Sequence, residues 1–260
     1  MNLKMLMRKT RVALTPRNCF LKTKLSNGAV ISGKNLQGYG GRGIYIFRDS
    51  LEPEFEHLLE FLTPSGVLVD VGANTGIYTI KSAKYLSESG GQVVALEPFP
   101  EMLATLQNNV QANGLNNVRL RNFCAGDRTH AALFWRNYEK PNSFSLVQRD
   151  ERAASLSVLV VALDDLFAWE GLSRLDYLKI DAEGAEQQII SGAKTTIEKY
   201  RPIIQVEINL VDTQVSLPNY SAFQVASGSI NRLLIPNESP KINIPPKLGW
   251  LKVASPFSET

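Results

Sequence analysis

Val67-Leu68-Val69-Asp70-Val71-Gly72-Ala73-Asn74-Thr75-Gly76 is an apolar run with an acid near its end, followed by a glycine-rich turn. A short run with a single polar member suits a strand buried on both faces. Residues 77–86 then read as a helix. Strand, tight turn and helix together open a doubly wound α/β sheet, in which ligands bind beyond the carboxyl ends of the strands. Gly72 and Gly76 let the backbone come close to a ligand there. The turn spacing is G-x-x-x-G with Asn at position 74. It matches neither the G-x-G-x-x-G dinucleotide fingerprint nor the P-loop with its Lys and Ser/Thr. A glycine turn without phosphate features suits a nucleoside ligand lacking a pyrophosphate. The plainer alternative is an ordinary strand-to-helix turn.

Outward from this turn the chain keeps alternating. Residues 54–62 carry apolar side chains at 55, 58, 59 and 62, one face of a helix. Strands are expected at 92–96, 118–123, 131–135, 157–163, 175–180 and 203–208, and helices at 101–112 and 185–200. Residues 222–226 and 231–235 pair as the last two strands. Such alternation implies a mainly parallel sheet covered on both faces.

The flanks differ in character. Residues 1–48 hold ten Lys or Arg and no acid, and the first carboxylate is Asp49. The remaining 18 basic and 25 acidic residues leave that part at −7. A basic arm can meet an acidic partner, but scattered cations also simply solvate an extension. Residues 1–14 show weak helical periodicity, so a weak peripheral membrane contact is the most they suggest. Phe20–Leu25 and Ala29–Ser32 flank Asn27-Gly28, a two-residue hairpin signal, and residues 44–47 read as another short strand. The last 25 residues hold five of the thirteen prolines and should lie extended rather than helical.

Composition narrows the class. With 44% hydrophobic and 20% charged residues, the chain is globular. No apolar run reaches the length of a transmembrane helix, and the opening residues make a poor secretory signal. Two cysteines, Cys19 and Cys124, cannot build a disulfide framework and fit a reducing compartment, so a cytoplasmic location is expected. His57 and His130 stand far apart, without cysteines at zinc-ligand spacing.

Three further stretches place chemistry at strand ends. Leu96-Glu97-Pro98-Phe99 puts a carboxylate at the end of the second strand of the alternation. Such a group can accept two hydrogen bonds from vicinal ribose hydroxyls, and Phe99 can stack on a purine. Helix-dipole compensation is the alternative role for Glu97. Cys124-Ala125-Gly126-Asp127 follows the next strand, where Asp127 can accept an exocyclic amine or simply sit in a turn. Lys179-Ile180-Asp181-Ala182-Glu183-Gly184-Ala185-Glu186 and Val206-Glu207-Ile208-Asn209 bring carboxylates to neighbouring strand ends. Lys179 and Asp181 share a side of their strand, while Glu186 reads as a helix-opening acid.

Together these stretches resemble the FkbM family of S-adenosylmethionine-dependent methyltransferases. The resemblance runs from Glu52-Pro53 through Phe61, then DVGANTG at 70–76, ALEPFP at 95–100, NNVQANGLNNV at 108–118, AGD at 125–127, KIDAEGAE at 179–186 and PIIQVEI at 202–208. It implies the class I methyltransferase fold, a Rossmann-like seven-stranded sheet of order 3-2-1-4-5-7-6 with strand 7 antiparallel, here preceded by a small β-rich segment. It divides the chain into a basic extension at 1–50, a methyltransferase domain at 51–235 and a Pro-rich tail at 236–260. Asp70, Gly72, Ala73, Asn74 and Gly76 would wrap the methionine part of the cofactor. Glu97 would bind the ribose, Phe99, Ala125 and Asp127 would border the adenine, and Asp181 would lie near the sulfonium.

The implied reaction is O-methylation of a hydroxyl on a small molecule, sugar or glycan. Asp181 and Glu207, with Glu183 behind them, are the candidate bases. A divalent ion on Asp181, Glu207 and Asn209 is a less favoured alternative, by analogy with catechol-type enzymes. A nucleic-acid methyltransferase using the basic arm is a competing reading. It is weakened because KIDAEG stands where base-amino methyltransferases carry Asn-Pro-Pro-aromatic. A non-catalytic cofactor-fold protein is a third reading, against which the site motifs look intact.

Overall fold

The computed structural model describes residues 3–136, 144–145, 154–182, 184–207, 217–225 and 229–254, with backbone only at 136, 144 and 145. The chain opens with helix α1 (Leu3–Leu14), the strands β1 (Phe20–Lys24) and β2 (Val30–Lys34), and the helices α2 (Gly41–Phe47) and α3 (Pro53–Phe61). The alternating part follows: β3 (Val67–Val71), α4 (Ile77–Leu86), β4 (Gln92–Leu96), α5 (Pro100–Ala112), β5 (Val118–Arg121), β6 (Phe123–Gly126), β7 (His130–Arg136), β8 (Phe144–Ser145) and β9 (Ser155–Ala162). Then come α6 (Leu163–Glu170), β10 (Tyr177–Ile180), α7 (Glu186–Ser191), α8 (Lys194–Tyr200), β11 (Ile203–Glu207), β12 (Tyr220–Gln224), β13 (Asn231–Pro236), α9 (Ile244–Lys247) and β14 (Leu251–Val253).

The main sheet runs β14-β12-β13-β11-β10-β3-β4-β5. Its five strands from β11 to β5 are parallel, and β13, β12 and β14 continue it antiparallel. Every residue of β3 is buried, as its near-continuous apolar sequence requires of a central strand. Alternate residues feed two cores. Leu68, Val93 and Tyr177 pack with Phe55, Ile80, Leu106 and Trp250 on one face. Val69, Val94 and Leu178 pack with Leu166, Ile189 and Ile197 on the other. A second sheet, β6-β9-β7-β8, carries the strands expected around 131–135 and 157–163.

The structure departs from the expectations in four places. Residues 44–47 are not a strand but the second half of α2. A short apolar run carries no period that separates strand from helix, and here Ile44 alone is buried. Residues 185–200 form two helices, broken at Gly192, whose carbonyl accepts from Asp164 N–H at 2.9 Å while the Asp164 carboxylate accepts from Thr195 and Thr196 N–H. The tail is not wholly extended: Pro245 and Pro246 sit in the first turn of α9, where a missing N–H costs nothing. Beyond it β14 adds an eighth strand to the seven expected, and Trp250 stacks on Phe61 at 5.5 Å.

The N-terminal unit is bonded onto the sheet through helix α5. The hairpin closes through three residues rather than two, with Leu25 N–H bonded to the Ala29 carbonyl and Gly28 at φ 79°. Along the outer edge of β2, Asn113 accepts from Val30 N–H and donates to its carbonyl, and Asn109 does the same at Ser32. Lys81, a buried residue of α4, bridges the two parts by pairing with Asp49 at 3.2 Å and donating to the Phe55 carbonyl. Among the described residues no helix is long and apolar enough to cross a membrane, and both cysteines are free.

Gly72 is the tightest point between β3 and β10. Its φ is 72°, and a Cβ would come 1.8 Å from the Asp181 carbonyl oxygen. Gly90 shares the left-handed conformation at φ 75° but has open space around it. Gly90→Ala should therefore cost about 1 kcal/mol from backbone strain alone, and Gly72→Ala at least twice that, read as the shift in urea midpoint at unchanged slope.

Candidate functional site

The site lies at the carboxyl ends of β3, β4 and β10, where the register sets their last residues side by side. Asp70 pairs across the sheet with Ala95 and with Lys179, and Lys179 with Gln205. Asp70 therefore heads a polar row on the face that carries α4, inside an otherwise apolar layer.

The glycine turn is held almost entirely by its own protein. Gly72 and Ala73 N–H both donate to the Leu96 carbonyl, at 3.1 and 3.0 Å. Asn74, at φ 52°, donates its N–H to Glu97 Oε2 at 2.7 Å. Thr75 N–H donates to Asn74 Oδ1 at 2.7 Å, and Gly76 N–H to the Ala73 carbonyl at 2.8 Å. No amide from 72 to 76 is left over to cradle a phosphate, the use to which nucleotide-binding turns put such groups. At Gly76 a Cβ would strike Leu106, so this glycine also sets how closely α5 approaches.

Two carboxylates, Asp70 and Asp181, flank one buried ammonium, Lys179. Asp70 is fully buried; its Oδ2 accepts from Thr79 Oγ1 at 2.6 Å, and its Oδ1 lies 3.6 Å from Lys179 Nζ without a hydrogen bond. Lys179, 5% exposed, donates to Asp181 Oδ2 at 3.3 Å and stands 4.8 Å over the Tyr78 ring. Burial by itself would lower the Lys179 pKa, but the charges of Asp181, Asp70 and Glu52 outweigh it and raise it. The ammonium is thus charged at every working pH. A chain of hydrogen bonds runs beside it to a carboxylate: Tyr177 hydroxyl to Gln205 Oε1, Gln205 Nε2 to the Tyr78 hydroxyl, and Tyr78 hydroxyl to Glu52 Oε2, at 2.8, 3.0 and 2.7 Å.

Glu97, 6% exposed, is the carboxylate at the mouth of the neighbouring strand β4. Besides Asn74 it accepts from Phe99 N–H at 2.8 Å. Burial pushes its pKa up to about 7 against those two donors, and the charges of Asp70 and Asp181 add to the rise. Both backbone donors hold its oxygens in place at the mouth of β4.

The other expected residues are spread around this centre. Phe99 is half-buried against Cys124, Phe134 and Val160. Asn122 joins this side to the β4 end, donating to the Glu97 and Pro98 carbonyls at 3.0 and 2.9 Å. Cys124 is pushed up to about 12 by burial and, less, by the Glu97 charge, so it is a neutral thiol near that carboxylate. Ala125 is buried in β6, and Asp127 beyond it is exposed. Asp181 keeps 41% of its side chain exposed, and Glu207 is half-buried at the end of β11. Since Ile180 pairs with Val206, Asp181 and Glu207 follow on neighbouring strands. Glu183 and Asn209 lie outside the described residues. Glu186 opens α7 and accepts from Gly184 N–H at 3.0 Å. Among the described residues no cluster of His, Cys, Asp and Glu could hold a metal ion.

Tyr78, Thr79, Gln205 and Glu52 were not singled out from the sequence. Each is an ordinary polar residue on a helix or strand, and only the tertiary register brings them together. The one available signal was Gln205, a polar residue inside the apolar run Ile203–Glu207, in register with Lys179.

The profile of the Methyltransferase FkbM domain matches residues 70–233, more than half of the chain. Methyltransferase 1 of Beauveria bassiana is 26% identical over 167 residues, covering 56% of this chain and 65% of that protein. The 31-O-demethyl-FK506 methyltransferase FkbM of Streptomyces tacrolimicus is 25% identical over 201 residues, covering 66% and 75%. The crystal structure of methyltransferase FkbM from Methylobacillus flagellatus KT superposes with a TM-score of 0.47 at 18% identity, over 74% of this chain and 52% of that one. The chain thus spans just under two thirds of the Beauveria relative. With the match beginning at Asp70 itself and running through both strands that carry the carboxylate rim, the chain belongs to the FkbM methyltransferase family.

Proposed function

We propose that the chain transfers the methyl group of S-adenosylmethionine to a hydroxyl of a small molecule, sugar or glycan, with residues 51–235 as the catalytic domain. The observation that carries this reading is the pairing of an acidic rim with a turn whose amides are all used internally. Asp70 and Asp181 face a single ammonium, Lys179, and Glu97 lies in the field of both carboxylates. Such a rim favours a cationic nucleoside and disfavours a dinucleotide pyrophosphate. An oxygen acceptor is supported by the Streptomyces tacrolimicus relative, a 31-O-demethyl-FK506 methyltransferase.

When bound, the cofactor supplies an electrophilic methyl on a sulfonium. The chain does the rest. Asp70, Gly72, Ala73, Asn74 and Gly76 shape the wall for the methionine part. Glu97, already oriented by Asn74 and Phe99 N–H, accepts from the ribose hydroxyls. Phe99, Ala125 and Asp127 border the base. Asp181 lies nearest the reacting centre, and its partly exposed carboxylate, or that of Glu207, takes the acceptor's proton as the new bond forms. Lys179 orients Asp181 from behind. The acidic rim does the positioning that a single displacement needs.

Calorimetry tests the cofactor assignment. S-adenosylmethionine should bind and NADH should not. Glu97→Gln should weaken the first at least about tenfold, the loss of a charged hydrogen-bond acceptor. Binding of NADH alone would overturn the assignment.

The raised pKa of Glu97 adds a signed pH dependence. Its folded value, about 7, exceeds the ordinary 4.5, so its contribution to stability is complete below pH 4.5 and is lost as pH rises through 7. The stability of the ligand-free protein relative to Glu97→Gln should fall over that window in urea melts. Affinity for S-adenosylmethionine should move the other way, rising from pH 6 to 8, because ribose donors favour the ionised carboxylate. In Glu97→Gln that rise should flatten.

Asp70→Asn removes one of the two carboxylates that neutralise Lys179 inside the fold. It should cost about 3 kcal/mol in a denaturant melt. Asp181→Asn, at a half-exposed position, should cost clearly less.

A further inference from the structure

The N-terminal helix presents an apolar stripe to solvent, and no described part of the chain covers it. Leu3, Met7 and Leu14, spaced four and seven residues apart, lie on one face of α1 and are 70%, 64% and 80% exposed. Val12, on the opposite face, is the helix's one buried residue. The helix is not loosely attached. Arg8 Nη1 donates to the Ile46 carbonyl at 2.6 Å, and Asn35 Nδ2 donates to the Val12 and Thr15 carbonyls at 2.9 and 2.6 Å. The inner face is therefore docked by polar bonds, while the outer face keeps large apolar side chains in water.

Cations flank this stripe. Lys4 and Arg11 lie along one side of it, while Lys9 lies near the inner face that meets α2. Arg11 stands 6.0 Å over the Tyr45 ring, and Lys9 6.0 Å over Phe47, itself exposed. Between α1 and α2 lies an open hollow of about 420 Å³ lined by Lys4, Met7, Arg8, Arg11, Tyr45 and Arg48. No acid occurs in the first 48 residues, whereas the rest of the chain carries a net negative charge.

We infer that this face docks on an anionic lipid surface, with Leu3, Met7 and Leu14 entering the acyl boundary and the flanking cations reaching headgroup phosphates. An apolar stripe bordered by Lys and Arg is what an interfacial helix needs. Each cation near an anionic leaflet adds about fivefold in affinity, and the stripe adds the burial that electrostatics alone lacks. A second copy of the chain is disfavoured as occupant, since self-association would press like charges together. A nucleic acid would use the cations but leave the three apolar side chains without a role. The loop that leads into α2 also touches the cofactor turn, where Asn74 Nδ2 donates to the Gly38 carbonyl at 3.2 Å. The docked face and the cofactor turn are thus parts of one packed unit.

Flotation of the full chain with vesicles tests this directly. It should float with equimolar phosphatidylglycerol and phosphatidylcholine at low salt, and not with phosphatidylcholine alone. Leu3→Ser/Met7→Ser/Leu14→Ser should weaken vesicle binding at least about tenfold with an unchanged melting temperature and unchanged S-adenosylmethionine binding, since all three side chains are exposed. Lys4→Gln/Arg11→Gln should weaken it and reduce its salt dependence. Failure to float at low salt, or equal flotation of the triple variant, overturns the proposal. So does a single-stranded RNA oligomer bound more tightly than the vesicles and unaffected by the triple variant, or a dimer in solution that the triple variant splits.

Discussion

The arrangement of the site depends on one buried ammonium. Lys179 sits in the central strand pair, shut away from water, and a cation there must be matched by acceptors that come to it. Asp70 from β3 and Asp181 from the end of β10 supply the charge, and the Tyr78 ring supplies its π face. Meeting that demand brings the mouths of two strands and the first turn of α4 to one point. Gly72 passes close beneath the Asp181 carbonyl at the same point. Burial raises the Glu97 pKa beside it, and the charges of the two carboxylates that Lys179 attracts add to the rise.

Much of this was legible in the sequence because buried parallel strands are short apolar runs, and an acid that ends such a run has few structural uses. Asp70, Glu97 and Asp181 could be placed at strand mouths on that ground alone. Their energetics could not. That Glu97 holds its proton near neutrality depends on how deeply Phe99 and the Asn74 turn enclose it, which no local pattern encodes. The supporting chain from Tyr177 through Gln205 and Tyr78 to Glu52 joins four separate elements, and its members look like ordinary polar residues in each. The misread residues 44–47 and 185–200 share a cause. In both, the local pattern admits two conformations and a distant contact decides: docking of α2 on the hairpin unit in one case, Asp164 bonding to Gly192, Thr195 and Thr196 in the other.

The basic segment reads differently in sequence and in space. Along the chain its cations look scattered, the pattern of a solvated extension. Folding α1 back over α2 gathers Lys4, Arg8, Arg11 and Arg48 around one hollow and turns the apolar side chains of α1 outward. Weak periodicity in the sequence came from judging the helix by a single buried face. Its inner face is fastened by Arg8 and Asn35, so the apolar residues were free to take the other side.

The two asparagines that meet β2 have a metric consequence. Four residues of helix rise about 6 Å, and two residues of strand about 6.7 Å. Asn109 and Asn113 can therefore engage Val30 and Ser32 with almost no mismatch, so that α5 imitates the edge of a third strand. The match works like a two-mark vernier, since each further step would add to the error. It admits the hairpin in only one setting, because sliding β2 by a single residue would turn its backbone groups away from both carboxamides. An edge that would otherwise invite a foreign strand is closed in the same stroke. The position of the whole N-terminal unit is thus measured off a helix of the methyltransferase fold.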